Sequence, residues 1–433
     1  MSQKKIKPQA LLSIICLMFI FFRELSSQPL TFEKLSPTRL NIFYQYEAET
    51  PSTTMLIIFP GGQRLEPALK PGLAYLTTRL LAELPDEDKI AQMEENGLNL
   101  RTGTSPDYSF IELEVLNSSL EGALKIIFQN FNQPLFPGLR IEALKKIMAA
   151  EERKERTRLV STGRLLLLRK IWPGSTYGHS AFGGEPALKN ISKKDISVFY
   201  SSLMNPETIS LAVVSGLNKE KILELVEKYF VLPKKKSQLS LPWQAAPAAE
   251  QDTLEVKYEG PRGALVLVGF VLKGEALSIY PGAYVLEKII GEGPGCVLWN
   301  LRQDKAYAYN VNSQLEIIGR KLVLFAYLET DPELSETALS DLLQVFQGLY
   351  DRGLTPEEIE KGRLLARQAF FRESFYRDSR LQQLATFITN NLPLEFFNSF
   401  SSSLLTVSQD SINALIKSSL QPETAVSLVI NKN

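Results

Sequence analysis

The second half of the chain repeats the first, and that bounds the fold more tightly than any single motif. Pro71-Gly72 recurs as Pro281-Gly282, 210 residues on, and Asn205-Pro206-Glu207-Thr208 recurs as Gln421-Pro422-Glu423-Thr424, 216 residues on. A helix is predicted to open at each Pro-Gly pair. A helix starting at Ser192 or Ser408 precedes each second phrase, and a last strand follows it. Two copies of one α+β unit of roughly 200 residues, joined by a linker, is the simplest reading. The segment from Pro233 to Gln251 is rich in Pro, Ala and Lys and carries no period, as a linker should. The chain therefore divides into a leader at 1–27, a first unit at 28–232, a linker at 233–252 and a second unit at 253–433.

Composition removes some alternatives. The 433 residues carry 48 basic and 48 acidic side chains, which gives no support to a nucleic-acid partner. Lys4, Lys5 and Lys7 precede an apolar run from Ala10 to Phe22, closed by Arg23. That is a charged region and a core too short to cross a bilayer comfortably, so a signal peptide cut after Ser27 is expected, with an uncleaved anchor as the alternative. Ser13-Ile14-Ile15 before Cys16 makes a poor lipidation site. After cleavage Cys296 is the single cysteine, which excludes an internal disulfide and a two-cysteine metal site. His179 is the single histidine and sits in a predicted turn, with no chemistry assigned to it.

In chain order, strands are predicted at Leu40 to Tyr46 and Thr54 to Phe59. A helix runs from Pro71 to Glu83, with Leu73, Leu76, Leu80 and Leu81 on one face. Another spans Ile90 to Asn96, with Gly97 as its cap. Two strands between Leu98 and Val115 turn near Ser105-Pro106-Asp107. An amphipathic helix follows from Ser119 to Phe128, then one long charged helical stretch from Arg140 to Arg169, ended by Pro173-Gly174. Ser192 caps a helix through Tyr200, and Ile209 to Val214 closes the unit as a strand.

The helix at Pro71 to Glu83, the segment from Tyr177 to Gly216 and the run GEGPGCVLWNLRQDKAYAY at Gly291 to Tyr309 together resemble the insulinase-like (pitrilysin) family of zinc peptidases. In that family the first helix carries H-x-x-E-H. Two His four apart grip zinc, and the Glu works on the bound water. At those places this chain has Tyr75, Thr78 and Arg79. The family's third ligand, a Glu some seventy-odd residues on, corresponds to Glu151. Its charged neighbours suggest a solvated face, and a remnant pairing with Arg79 is the sharper expectation. A guanidinium cannot deprotonate to receive a dication. The resemblance thus implies a member without zinc.

The same resemblance implies that Arg302 and Tyr309 reach substrate, since the family's second half has a Gly-rich segment leading to an Arg and a Tyr seven residues apart. Gly293 and Gly295 fall in that Gly-rich segment, and Ala306 departs from the usual Gly. The loop lacks the Lys-Ser/Thr of a phosphate-binding loop. The implied fold is two tandem homologous domains, each a mostly antiparallel sheet covered by helices, arranged as a clamshell. The implied function is a non-catalytic subunit with no cofactor of its own, paired as a heterodimer with a homologous zinc-binding subunit that acts on peptide or unfolded polypeptide. The implied location is periplasmic or otherwise extracytoplasmic. A structural scaffold or peptide-binding protein without a role in proteolysis is the alternative.

Overall fold

The computed structural model describes residues 31–432 apart from 37–39, 84–90, 92–94, 96, 133, 206–207, 231–251, 259–262, 292, 304 and 306–307. The expected leader, and the expected linker apart from Asp252, lie outside the described residues, as does most of the helix expected at Ile90 to Asn96. The strands of the first sheet are β1 (Glu33–Leu35), β2 (Asn41–Tyr46), β3 (Ser52–Pro60), β4 (Asn99–Thr104), β5 (Tyr108–Leu116) and β6 (Ser210–Ser215). Those of the second are β7 (Asp252–Tyr258), β8 (Gly263–Val271), β9 (Asn310–Ile318), β10 (Lys321–Thr330) and β11 (Val426–Lys432).

The two sheets have one topology. The first runs β1-β2-β6-β3-β5-β4 and the second β7-β11-β8-β10-β9. In each, the last strand of the unit inserts beside its first long strand in parallel and beside the next antiparallel. All other pairs are antiparallel. Strands buried on both faces, such as β3 (TTMLIIF) and β8 (ALVLVGF), are near-continuous apolar runs because helices cover both sides.

The helices of the first half are α1 (Leu73–Ala82), α2 (Leu120–Asn132), α3 (Gly138–Arg156), α4 (Leu159–Ile171), α5 (Glu185–Lys189), α6 (Lys193–Leu203) and α7 (Lys219–Tyr229). The second half supplies α8 (Ala276–Ile290), α9 (Trp299–Gln303), α10 (Ser335–Arg352), α11 (Pro356–Glu373), α12 (Arg377–Thr389), α13 (Leu394–Thr406) and α14 (Gln409–Ser419). The repeat extends to the caps: Ser192 accepts from the Asp195 amide to start α6, and Ser408 accepts from the Ser411 amide to start α14.

Two expectations need correction. The stretch from Arg140 to Arg169 is two helices, broken at Thr157-Arg158, where the Thr157 hydroxyl bonds the Lys154 carbonyl. No Gly or Pro marks the break. It arises because α4 turns away to pack on the other half's sheet. Pro281 also does not open a helix, since α8 begins five residues earlier at Ala276 with Pro281 inside it. The ring removes only the bond to Leu277, whose side chain is exposed at the helix start.

The halves exchange cover. Leu167, Leu168 and Ile171 of α4 pack with Leu265, Leu267, Phe325 and Leu428 of the second sheet. Leu381, Leu384 and Ala385 of α12 join Phe43, Leu56, Ile58, Ala212 and Val214 of the first sheet. The first crossing is close: a methyl on Gly163 would lie 2.4 Å from Leu265, and one on Gly269 2.7 Å from Leu167. Phe32 is strapped to α13 by paired bonds between its backbone and the Asn398 side chain, 2.9 and 2.8 Å.

A polar knot holds the seam. Asp107, buried in the β4–β5 turn, faces Arg64 at 3.6 Å and accepts from the Tyr177 hydroxyl at 3.1 Å. Its other oxygen accepts from the Gly319 amide at 2.8 Å, in the β9–β10 turn of the second half. Next to it, the Arg320 amide donates to the Asn390 side chain. Gly319 and Arg320 both have positive φ, and this tight turn presents the Gly319 amide toward the other half. Asp107→Ala should remove the carboxylate that faces the buried Arg64 guanidinium and the acceptor of the Gly319 amide, and cost about 3–5 kcal/mol. Denaturant unfolding should show a lower midpoint, with Asp107→Asn losing less because it still accepts from Gly319.

Candidate functional site

The helix α1 starts where the chain forces it to. Gly72 takes φ 92° at the N-cap, and the buried Glu66 carboxylate accepts from the Gly72 and Ala74 amides at 3.0 and 2.8 Å. Gly72 also lies against Gly183, where any side chain would strike the Pro71 carbonyl at 2.4 Å. Burial pushes the Glu66 pKa up to about 8, against the opposing pull of those two amides.

The three degenerate positions then have settled roles. The Tyr75 ring packs edge-on to Phe182, 4.9 Å between centroids. Thr78 is fully buried, and its hydroxyl donates to the Ala74 carbonyl one turn back. Arg79 pairs with Glu83 at 3.2 Å, and Glu83 also binds Arg140. The remnant pair of Arg79 with Glu151 is not formed. Glu151 faces solvent on α3, and the carboxylates on its inward side are Glu152 and Glu155. Glu155 accepts from Ser180, and burial raises Glu152 above the usual carboxylate range. A helix turns about 100° per residue, so a small error in counting moves a carboxylate to another face.

A phenol, a spent hydroxyl and a paired guanidinium do not fit a zinc ion. Among the described residues no three His, Cys, Asp or Glu side chains converge. His179 lies in the expected turn, where its carbonyl accepts from Gln63 and burial lowers its pKa.

In the second half, Arg302 sits in the last turn of the short helix α9 and lies 4.9 Å over the Trp299 ring, exposed to solvent. Tyr309 precedes β9. Its side chain is 63% exposed and its hydroxyl donates to Asp331 at 2.9 Å. The glycine segment folds back on α8, with the Val297 and Leu298 amides bonding the Ile289 and Ile290 carbonyls. Gly293 and Gly295 have φ 95° and 85°. Gly295 lies under Lys361, which donates to its carbonyl, while Gly293 faces open space.

The sequence also held a signal that was not read. Tyr284, Glu287 and Lys288 of α8 repeat the i, i+3, i+4 spacing in the second copy. With Glu373 at the end of α11 they form a polar cluster. The Lys288 ammonium stands 3.0 Å from Glu287 and 3.1 Å from Glu373, and the Tyr284 hydroxyl donates to Glu373 at 2.7 Å.

The family models decide the lineage. Residues 41–178 match insulinase (peptidase family M16), and residues 190–364 match the peptidase M16 inactive domain. The chain belongs to the M16 family. Its fold is shared with a protease from Helicobacter pylori, at TM-score 0.84 and 17% identity, over 93% of this chain and 99% of that one. It is also shared with a peptidase M16 inactive domain from Pseudomonas fluorescens, at TM-score 0.82 and 20% identity, over 93% and 98%. Pitrilysin gives TM-score 0.75 and 16% identity, over 93% of this chain but 45% of its own. No curated protein sequence matches. These M16 likenesses carry the clamshell of two related domains.

An acid whose pKa is higher folded than unfolded stabilises the fold at low pH, and that stability fades as pH rises through the folded value. Glu66 should therefore make the thermal midpoint fall between the ordinary carboxylate range and about pH 8. Glu66→Gln keeps an acceptor for both amides and cannot ionise, so its midpoint should decline less across that window.

Proposed function

We propose that this chain is the non-catalytic subunit of a heterodimeric zinc metallopeptidase. In this reading a homologous partner carries the intact H-x-x-E-H helix and the zinc, and this chain closes the peptide chamber. Arg302 and Tyr309 reach the partner's site, where a guanidinium and a phenol can donate to a scissile carbonyl and its developing oxyanion. The observation that carries the reading is the contrast between the two halves. The zinc-helix positions are tied up internally, while Arg302 and Tyr309 stand in solvent on rigid supports, an indole and a carboxylate. The match of residues 190–364 to an inactive M16 domain supports it, and so does the length of pitrilysin, of which this chain spans about half.

The chain is exported under its N-terminal signal and works in an extracytoplasmic compartment. No helix among the described residues is long and apolar enough to cross a membrane. The second reading is a scaffold. It is favoured by the fact that Arg302 and Tyr309 already have partners within the chain.

Mixing the chain with its homologous partner should give peptide cleavage that neither gives alone. Arg302→Ala with Tyr309→Phe should lower kcat of the mixture by about 100-fold, the value of a lost oxyanion donor. Undiminished cleavage by that double variant would leave the scaffold reading.

A further inference from the structure

The seam between the halves contains a cavity of about 750 Å³, within the range of small-molecule sites. Strand register builds its floor. Gln45 of β2 and Thr54 of β3 both align with Val214 of β6, and Thr54 aligns with Glu114 of β5. Side chains in one such row share a face. Val214 belongs to the core under α12, so the row points at the second half. The roof comes from that half: Arg380 of α12, and the aromatic turn Phe375-Tyr376 that precedes the helix.

Three polar atoms of this cavity are buried with no hydrogen-bond partner among the described residues: the Gln45 amide oxygen, the Thr54 hydroxyl and the Arg380 Nε. Their side chains are more than nine-tenths buried. Each such atom costs roughly 1–3 kcal/mol unless something fills it. Arg380 is otherwise engaged, since its Nη2 bonds Glu47 at 3.2 Å, and Arg377 holds the same carboxylate at 3.1 Å and Ser52 at 2.8 Å. The unmet atoms are one donor, one acceptor and one hydroxyl that can serve as either. The lining has both charge signs, three arginines against four carboxylates. Meanwhile Phe375 and Tyr376 stand 73% and 67% exposed at the mouth, edge-to-face with one another.

We propose that this cavity binds a small zwitterion with an apolar body: an aromatic α-amino acid, or a dipeptide that carries one. The carboxylate takes the Arg380 Nε–H and the Thr54 hydroxyl. The ammonium donates to the Gln45 oxygen among the carboxylates, and the ring lies against Phe375 and Tyr376. A singly charged ligand would meet an unmatched group at one end. The site lies on the inner face of the first sheet, and its ligand is bound without bonds being made or broken. The inference does not depend on a proteolytic role.

The test is calorimetric titration of the full chain with L-phenylalanyl-L-alanine, against the doubly blocked N-acetyl-phenylalanyl-alaninamide. The free dipeptide should bind, and the blocked one should bind at least about tenfold more weakly. Thr54→Val removes a hydroxyl that has no internal partner, so it should leave the thermal midpoint no lower while weakening the dipeptide about tenfold. Phe375→Ala, an exposed change, should weaken it as well. Equal affinity for the free and blocked peptides, no heat from either, or an unchanged affinity in Thr54→Val would each overturn the proposal.

Discussion

Neither sheet can keep water off its inner face with its own half alone. The inner rows of the first sheet, Phe43 to Leu56 and Ala212, are apolar and would be bare without α12. The second sheet stands in the same debt to α4. Fully burying one such side chain is worth about 1.5–3 kcal/mol, so a crossing made of several outweighs any single polar contact in the molecule. The exchange makes the halves one interlocked body. The Asp107 knot adds direction rather than bulk stability: it accepts from an amide whose turn conformation fixes where the other half must lie.

Much of this was legible in the residues because apolar periodicity and turn chemistry are local. The strands β2 to β6, the helix α1 and the serine caps of α6 and α14 follow from pattern alone. What escaped was decided at a distance. Nothing between Lys154 and Leu159 tells the chain to stop one helix and begin another. The break exists because a sheet more than a hundred residues later needs covering. Pro281 misled for the opposite reason: a strong local signal was overridden by the packing of Tyr280, Ala283 and Tyr284 in the second core.

The candidate site divides the same way. The loss of both imidazoles could be read directly, because identity is a property of sequence. The fates of the replacements could not. The Thr78 hydroxyl turns inward onto its own helix, Arg79 finds Glu83 rather than Glu151, and Tyr309 leans on Asp331. Each is a choice among several partners within reach, and geometry made it.

The cluster around Lys288 also sets how the second half responds to ions in solution. Its positive charge is tethered to the backbone, so it cannot diffuse away, exchange for a competing ion or be sequestered by a chelator. It offsets one of the two carboxylate charges of Glu287 and Glu373 whatever the surrounding ion supply. A change in the ion supply would therefore leave this corner of the second half as it stands.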